Sequence, residues 1–126
     1  MSALAISGKP LVLVVEDEAI TRMAAVVMLC EAGYEAVEAD SGPAAVLVLE
    51  ERTGIRVMLT DIDMPAGLDG IKLAACVHRR WPGVGIIMTS GKVRPAPGDV
   101  PSGARFIAKP YAEASVLAEI GRIVAQ

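Results

Sequence analysis

The 126-residue sequence predicts a doubly wound α/β domain, a parallel sheet covered on both faces by helices. Three observations carry this prediction. Short apolar runs read as strands, Leu11 to Val15 uninterrupted and buried on both faces, and Val84 to Met88 a further one. Between such runs lie segments of helical periodicity, opened by capping residues such as Ser41 and Asp69 and stopped by Gly33 or by Pro82 and Gly83. The two kinds alternate along the chain, and parallel strands joined in that way need right-handed crossovers.

In order, Leu11 to Val15 ends in Glu16-Asp17-Glu18, which puts acidic residues at the carboxyl end of the first strand. From Ile20 to Glu31, Ile20, Met23, Val27 and Cys30 recur at the spacing of one apolar helix face, and Gly33 suits the helix end. Tyr34 to Ala39 is a short strand whose Glu35 and Glu38 indicate a sheet edge. Ser41 caps a helix with Pro43 in its first turn, running to about Arg52. Arg56 to Thr60 is the next strand, with Asp61 at its carboxyl end. Asp69 caps a helix from Gly70 to Trp81. Val84 to Met88 delivers Thr89, Ser90 and Gly91 into a loop, and Arg105 to Ala108 delivers Lys109 and Pro110. A last helix covers Ala112 to Ala125, with Val116, Ile120 and Ile123 on one face. Pro95, Pro97 and Pro101 leave room for about one helical turn between Lys92 and Gly103.

Composition narrows the function. The length fits one domain, residues 1–126 with a core from about 10 to 125, and leaves no space for an output domain. Apolar residues make up 53% of the chain and aromatic ones 3%, so the core is aliphatic, with methionines such as Met23, Met28, Met58 and Met88 as filling. A net charge of −3 offers no field for a nucleic-acid backbone. Cys30 and Cys76 form neither a disulfide framework nor a metal knuckle and read as small core residues. No apolar run reaches membrane-spanning length and Met1 to Pro10 lacks the pattern of a signal peptide, so a cytoplasmic protein is expected.

Ligands of such sheets bind beyond the carboxyl ends of the strands, a rule that gathers Glu16, Asp17, Asp61, Ser90 and Lys109 at one edge. Each alone is uninformative; a carboxylate ending a strand is as often a helix cap. Together they are difficult to explain as stability devices, because crowded acids repel unless a cation sits among them. Magnesium suits such a cluster, since it takes one or two carboxylates with waters and phosphate oxygens. A phosphoryl group in transfer spreads charge over three oxygens, each of which needs a partner. The cation, Lys109, and the Ser90 hydroxyl with the Gly91 amide supply three, leaving Asp61 as the attacking carboxylate.

Val15-Glu16-Asp17-Glu18, Asp61-Ile62-Asp63-Met64-Pro65, Asp69-Gly70, Ser90 after an apolar strand, and Phe106-Ile107-Ala108-Lys109-Pro110 resemble the receiver domains of bacterial response regulators, from about Pro10 to Gln126. The resemblance implies the flavodoxin-like sheet order 2-1-3-4-5, with the fourth helix of the family short or absent here. It also implies the roles. Asp61 is the phosphoacceptor, Asp17 a direct ligand of Mg2+ or Mn2+, Glu16 an outer ligand through water, and the Asp63 backbone carbonyl a further ligand. Ser90 is the switch hydroxyl, Phe106 the rotating aromatic, Lys109 the phosphate-binding lysine and Gly91 a backbone contact to the phosphoryl group. The Ala66-Gly67-Leu68 loop is one residue longer than the commonest family spacing.

The implied partners are a sensor histidine kinase or histidine phosphotransfer protein and a downstream protein, with no nucleic acid or membrane. The domain signals by phosphorylation-dependent binding or drains phosphate, and is not a turnover enzyme. Met1 favours a free-standing protein over the trailing receiver of a kinase. A phosphatase of the haloacid dehalogenase type would explain Asp61-Ile62-Asp63, but it requires later acidic ligands and a substrate-gating cap. A receiver-fold adaptor that is never phosphorylated is a further alternative. His78, at a basic helix end, reads as a solvated side chain.

Overall fold

The computed structural model describes residues 8–64 and 69–126. The elements are β1 (Leu11–Val15), α1 (Ala19–Glu31), β2 (Glu35–Ala39), α2 (Gly42–Glu51), β3 (Ile55–Asp61), α3 (Gly70–Arg80), β4 (Gly85–Ser90), a 3-10 turn at Pro97–Asp99, β5 (Arg105–Ala108) and α4 (Glu113–Val124). All strand pairs are parallel, in the order β2-β1-β3-β4-β5. This is the predicted order, and the proline-rich segment holds only the predicted single turn.

Alternation of side chains across the sheet divides the core in two. Leu13, Val15, Met58, Ile86 and Met88 pack with Ala45 and Leu49 of α2 and Leu73, Ala74 and Val77 of α3. Val12, Val14, Val57, Leu59 and Ile87 pack with Ala25, Met28 and Leu29 of α1 and Val116 and Ile120 of α4. Covered on both faces, β1 and the middles of β3 (Val57 to Leu59) and β4 (Ile86 to Met88) read as continuous apolar runs in the sequence. Full burial of each such side chain contributes about 1.5–3 kcal/mol.

The caps are those expected: Ser41 Oγ accepts from the Ala44 amide, and Asp69 Oδ1 from the Lys72 amide. Gly70 is required where α3 begins, because a Cβ there would collide with the Asp61 carbonyl oxygen and the Ile62 Cα. The absence of a side chain lets α3 start directly against the end of β3. Trp81 packs against the core, with the Arg80 guanidinium 4.4 Å above its ring.

Three expectations need correction. The stripe Ile20, Met23, Val27 and Cys30 faces outward: Ile20 is 75%, Met23 64% and Val27 49% exposed, and Cys30 is exposed too. The helix is apolar nearly all round, so periodicity alone does not choose its buried side. Arg22 chooses it, donating to the Glu16 carbonyl oxygen at 2.8 Å and pairing with Glu38 of β2 at 3.0 Å. Anchoring Arg22 over the sheet edge turns the stripe that continues through Ala25, Val26 and Leu29 inward. Met23 is thus not core filling, Cys30 is not a core residue, and Cys76 is only half-buried. Finally, β3 and β4 reach further than expected, so Asp61, Thr89 and Ser90 are strand residues: Asp61 pairs with Thr89, and Ser90 with Ala108. The Ala66-Gly67-Leu68 loop lies outside the described residues.

Candidate functional site

The parallel strands end together, and their carboxyl ends carry the predicted residues. Asp61 closes β3, the central strand, and is 6% exposed. Glu16 follows β1; its amide extends the ladder to the Ala39 carbonyl oxygen at 3.0 Å, leaving the side chain buried. Asp17, the next residue, is exposed. Glu16, Asp17 and Asp61 each place a carboxylate oxygen within 4.8 Å of the others.

Lys109 reaches this cluster from the end of β5. Its ammonium donates to Glu16 Oε1 at 3.1 Å and lies 3.5 Å from Asp61 Oδ1. The Lys109 amide donates to the Ser90 carbonyl oxygen at 2.9 Å, and the Lys109-Pro110 peptide is cis. Glu16 also accepts from the Glu18 amide through Oε2, at 3.1 Å. Both oxygens of Glu16 are therefore engaged by the protein, whereas Asp17 opens onto a cleft of about 590 Å³ shared with Asp63, Asp69 and Lys92.

Burial pushes the Asp61 carboxyl above the ordinary range, against the pull of Lys109 and of the Asp63 amide, which donates to Asp61 Oδ1 at 3.3 Å. Burial likewise raises Glu16, opposed first by the Glu18 amide. Burial also works against the Lys109 charge, but Asp61 and Glu16 outweigh it and hold the ammonium above its usual range. The two sides differ because one cation serves two acids. Three carboxylates against one ammonium leave the cluster short of positive charge. An all-oxygen set of this kind fits a small hard divalent cation.

Ser90 stands at the end of β4, and its hydroxyl donates to Asp63 Oδ2 at 2.8 Å. The Gly91 amide donates to the same oxygen at 3.2 Å. The Asp63 carboxylate escaped the sequence analysis, which used only its carbonyl. The signal was its position two residues after Asp61, the spacing that returns a side chain to the same side of an extended chain. Thr21 and Tyr111 were also missed; together with Thr89 they line a cavity of about 20 Å³ with Glu16, Asp61 and Lys109. Burial raises the Tyr111 phenol above its usual range. Phe106 lies apart from the carboxylates, half-buried against the apolar cluster beneath α2 and α3 and beside Met88. A cavity of about 670 Å³ against Gly85, Arg105 and Ile123, at the amino ends of the strands, is lined by none of the predicted site residues.

Residues 12–120 match the family model of the response regulator receiver domain. The chain belongs to the response regulator receiver family. It is 34% identical over 110 residues to the sensor kinase CckA of Brucella abortus (strain 2308), covering 84% of this chain but 12% of that kinase. Among solved receivers, a response regulator receiver protein from Pseudomonas putida superposes with a TM-score of 0.83 at 30% identity, over 93% of this chain and 99% of that one. A CheY-like receiver domain protein from Methanospirillum hungatei JF-1 gives 0.77 at 27% identity, over 92% and 98%. The acidic pocket of Glu16, Asp17 and Asp61 fits the phosphoacceptor site of this receiver. No helix among the described residues is long and apolar enough to cross a membrane.

Proposed function

We propose that Asp61 takes a phosphoryl group from a phosphohistidine of a sensor histidine kinase or histidine phosphotransfer protein. The observation that carries this reading is the position of Asp61: a buried carboxylate at the end of the central strand, within 3.5 Å of the Lys109 ammonium and inside the acidic cluster. In the step, an Asp61 carboxylate oxygen bonds to phosphorus as the phosphorus–nitrogen bond breaks, and the imidazole leaves with its electron pair and takes up a proton. Lys109 neutralises one phosphoryl oxygen, and the Ser90 hydroxyl and Gly91 amide bond another.

Asp17, Asp61 and the Asp63 carbonyl would hold Mg2+ or Mn2+, with Glu16 acting through water because Lys109 and the Glu18 amide already occupy its oxygens. When bound, the cation supplies positive charge against the repulsion between a carboxylate and an incoming phosphoryl dianion. The protein assists its own phosphorylation and is not a turnover enzyme. It works in the cytoplasm, without nucleic acid or membrane, and either signals to a downstream protein or drains phosphate. The outward stripe of α1 begins with Ile20, three residues after Asp17, and supports an apolar helix of the donor docking beside the site. Ser90 and Phe106 form the switch, with Phe106 turning inward as the hydroxyl is drawn to the phosphoryl group.

The test is intact-mass spectrometry with acetyl phosphate. One phosphoryl group per chain is expected with magnesium and none without it or in Asp61→Asn. Undiminished labelling of that variant would move the acceptor elsewhere.

A further inference from the structure

The Ser90 hydroxyl has no free hydrogen-bonding capacity. Its single hydrogen goes to Asp63 Oδ2 at 2.8 Å, and its oxygen accepts from the Lys92 amide at 3.1 Å and the Val93 amide at 2.7 Å. The Gly91 amide, 3.2 Å from the same Asp63 oxygen, completes a seat in which two donors converge on one anionic atom. These are the two donors required by a phosphoryl oxygen on Asp61. Asp63 is held in place from its backbone side, since its amide donates to Asp61 Oδ1 at 3.3 Å. Its carboxylate borders the open cleft with Asp17, Lys92 and Val93, so it has water to move into.

We propose that the Asp63 carboxylate is a tethered internal anion that fills the phosphoryl-oxygen seat of Ser90 and Gly91 at rest, and that its eviction limits how readily Asp61 is phosphorylated. This rests on Asp61 being the acceptor. Two charge-assisted hydrogen bonds to Asp63 are exchanged for two to the phosphoryl group, so the gain from those donors is largely offset. The incoming dianion must also displace a group of its own sign. Because the same hydroxyl holds the Lys92 and Val93 amides, turning it toward phosphorus disturbs the first residues of the loop after β4. Asp63 is therefore a positioning residue, acting through Ser90 and Gly91.

The experiment compares Asp63→Ala and Asp63→Asn with the parent, alone and combined with Ser90→Ala. Beryllium fluoride with magnesium serves as the phosphoryl mimic. Asp63→Ala is expected to bind the mimic about tenfold more tightly and to label faster with acetyl phosphate, the loss of a bond to a charged group setting the scale. Asp63→Asn, which keeps an accepting oxygen without charge, falls between. In the metal-free resting protein the Gly91 amide proton resonance moves upfield in Asp63→Ala, as an N–H released from a carboxylate does. In the Ser90→Ala background, where half the seat is gone, the gain shrinks below about threefold. A full gain in that background would show that charge alone matters and would overturn the competition. Unchanged mimic affinity and an unchanged Gly91 resonance, with single labelling at Asp61 intact, would overturn the inference and leave the acceptor standing. Labelling that survives Asp61→Asn would instead overturn the acceptor, while the resting Gly91 resonance would still report on the seat.

Discussion

The Lys109 ammonium stands 3.5 Å from Asp61 Oδ1 while it donates to Glu16 at 3.1 Å, so one cation holds two buried carboxylates together. Lys109→Met keeps the length of the side chain and removes the charge. Without magnesium the variant is expected to lose about 1–3 kcal/mol in urea unfolding, because two buried acids lose their shared donor. Acetyl phosphate labelling should slow by about 10²-fold or more, the scale of losing one stabiliser of transition-state charge. Unfolding and labelling identical to the parent's would remove the lysine from the site.

Asp61→Asn should stabilise the metal-free protein by about 1–2 kcal/mol, since it removes a charge whose burial the fold disfavours. The sign with pH follows from the raised carboxyl of Asp61. Below the unfolded-state value of about 4, both states are protonated and no penalty exists. The penalty develops as pH rises from there and is complete above the folded-state value. The gap between variant and parent should therefore close under acid and open toward neutrality. Magnesium should raise the melting temperature of the parent more than that of the variant. A gap that widened on acidification would contradict the burial argument.

Gly70→Ala probes the contact between α3 and the end of β3. The added Cβ meets the Asp61 carbonyl oxygen and the Ile62 Cα, both backbone atoms, so β3 or α3 must move. A loss of about 1–3 kcal/mol in denaturant unfolding is expected, the scale of overpacking. Labelling should fall even under conditions where the variant remains folded. Full labelling at parental stability would show that the junction yields without cost.

The outward stripe of α1 separates docking from chemistry. Val27→Ser and Ile20→Gln should change stability by no more than about 0.5 kcal/mol, because both side chains are exposed. Labelling by acetyl phosphate should be unchanged, while transfer from a phosphorylated histidine protein slows. Met28→Ala, one residue further along but buried, should instead cost about 2–5 kcal/mol. Equal effects of Val27→Ser on both donors would place the docking face elsewhere.

The strands were legible because a sheet buried on both faces demands unbroken apolar runs, and Leu11–Val15 supplies one directly. Glu16, Asp17, Asp61 and Lys109 were legible because parallel strands deliver their ends to one edge. The orientation of α1 was not, because Ala25, Met28 and Leu29 compete with an equally apolar stripe until Arg22 reaches Glu16 and Glu38. Thr89 and Ser90 looked like loop residues because they are polar. Their strand character comes from Asp61, Ile107 and Ala108, partners distant in sequence. The Asp63 carboxylate was hidden for a similar reason, since its two donors lie on the far side of α3 in the chain.

The Lys109–Glu16 contact joins positions 93 residues apart. Between them the chain must complete four of its five strands and three of its helices, so a long loop closes at the site of chemistry. During synthesis Glu16 and Asp61 emerge without their lysine, and the charge balance of the site forms only after β5 has joined β4. A chain stopped before Lys109 contains the acceptor carboxylate but not its cation. Acquisition of phosphoryl chemistry therefore marks the docking of the final strand, and labelling competence during refolding should follow the slow, non-local phase of assembly rather than the early helices.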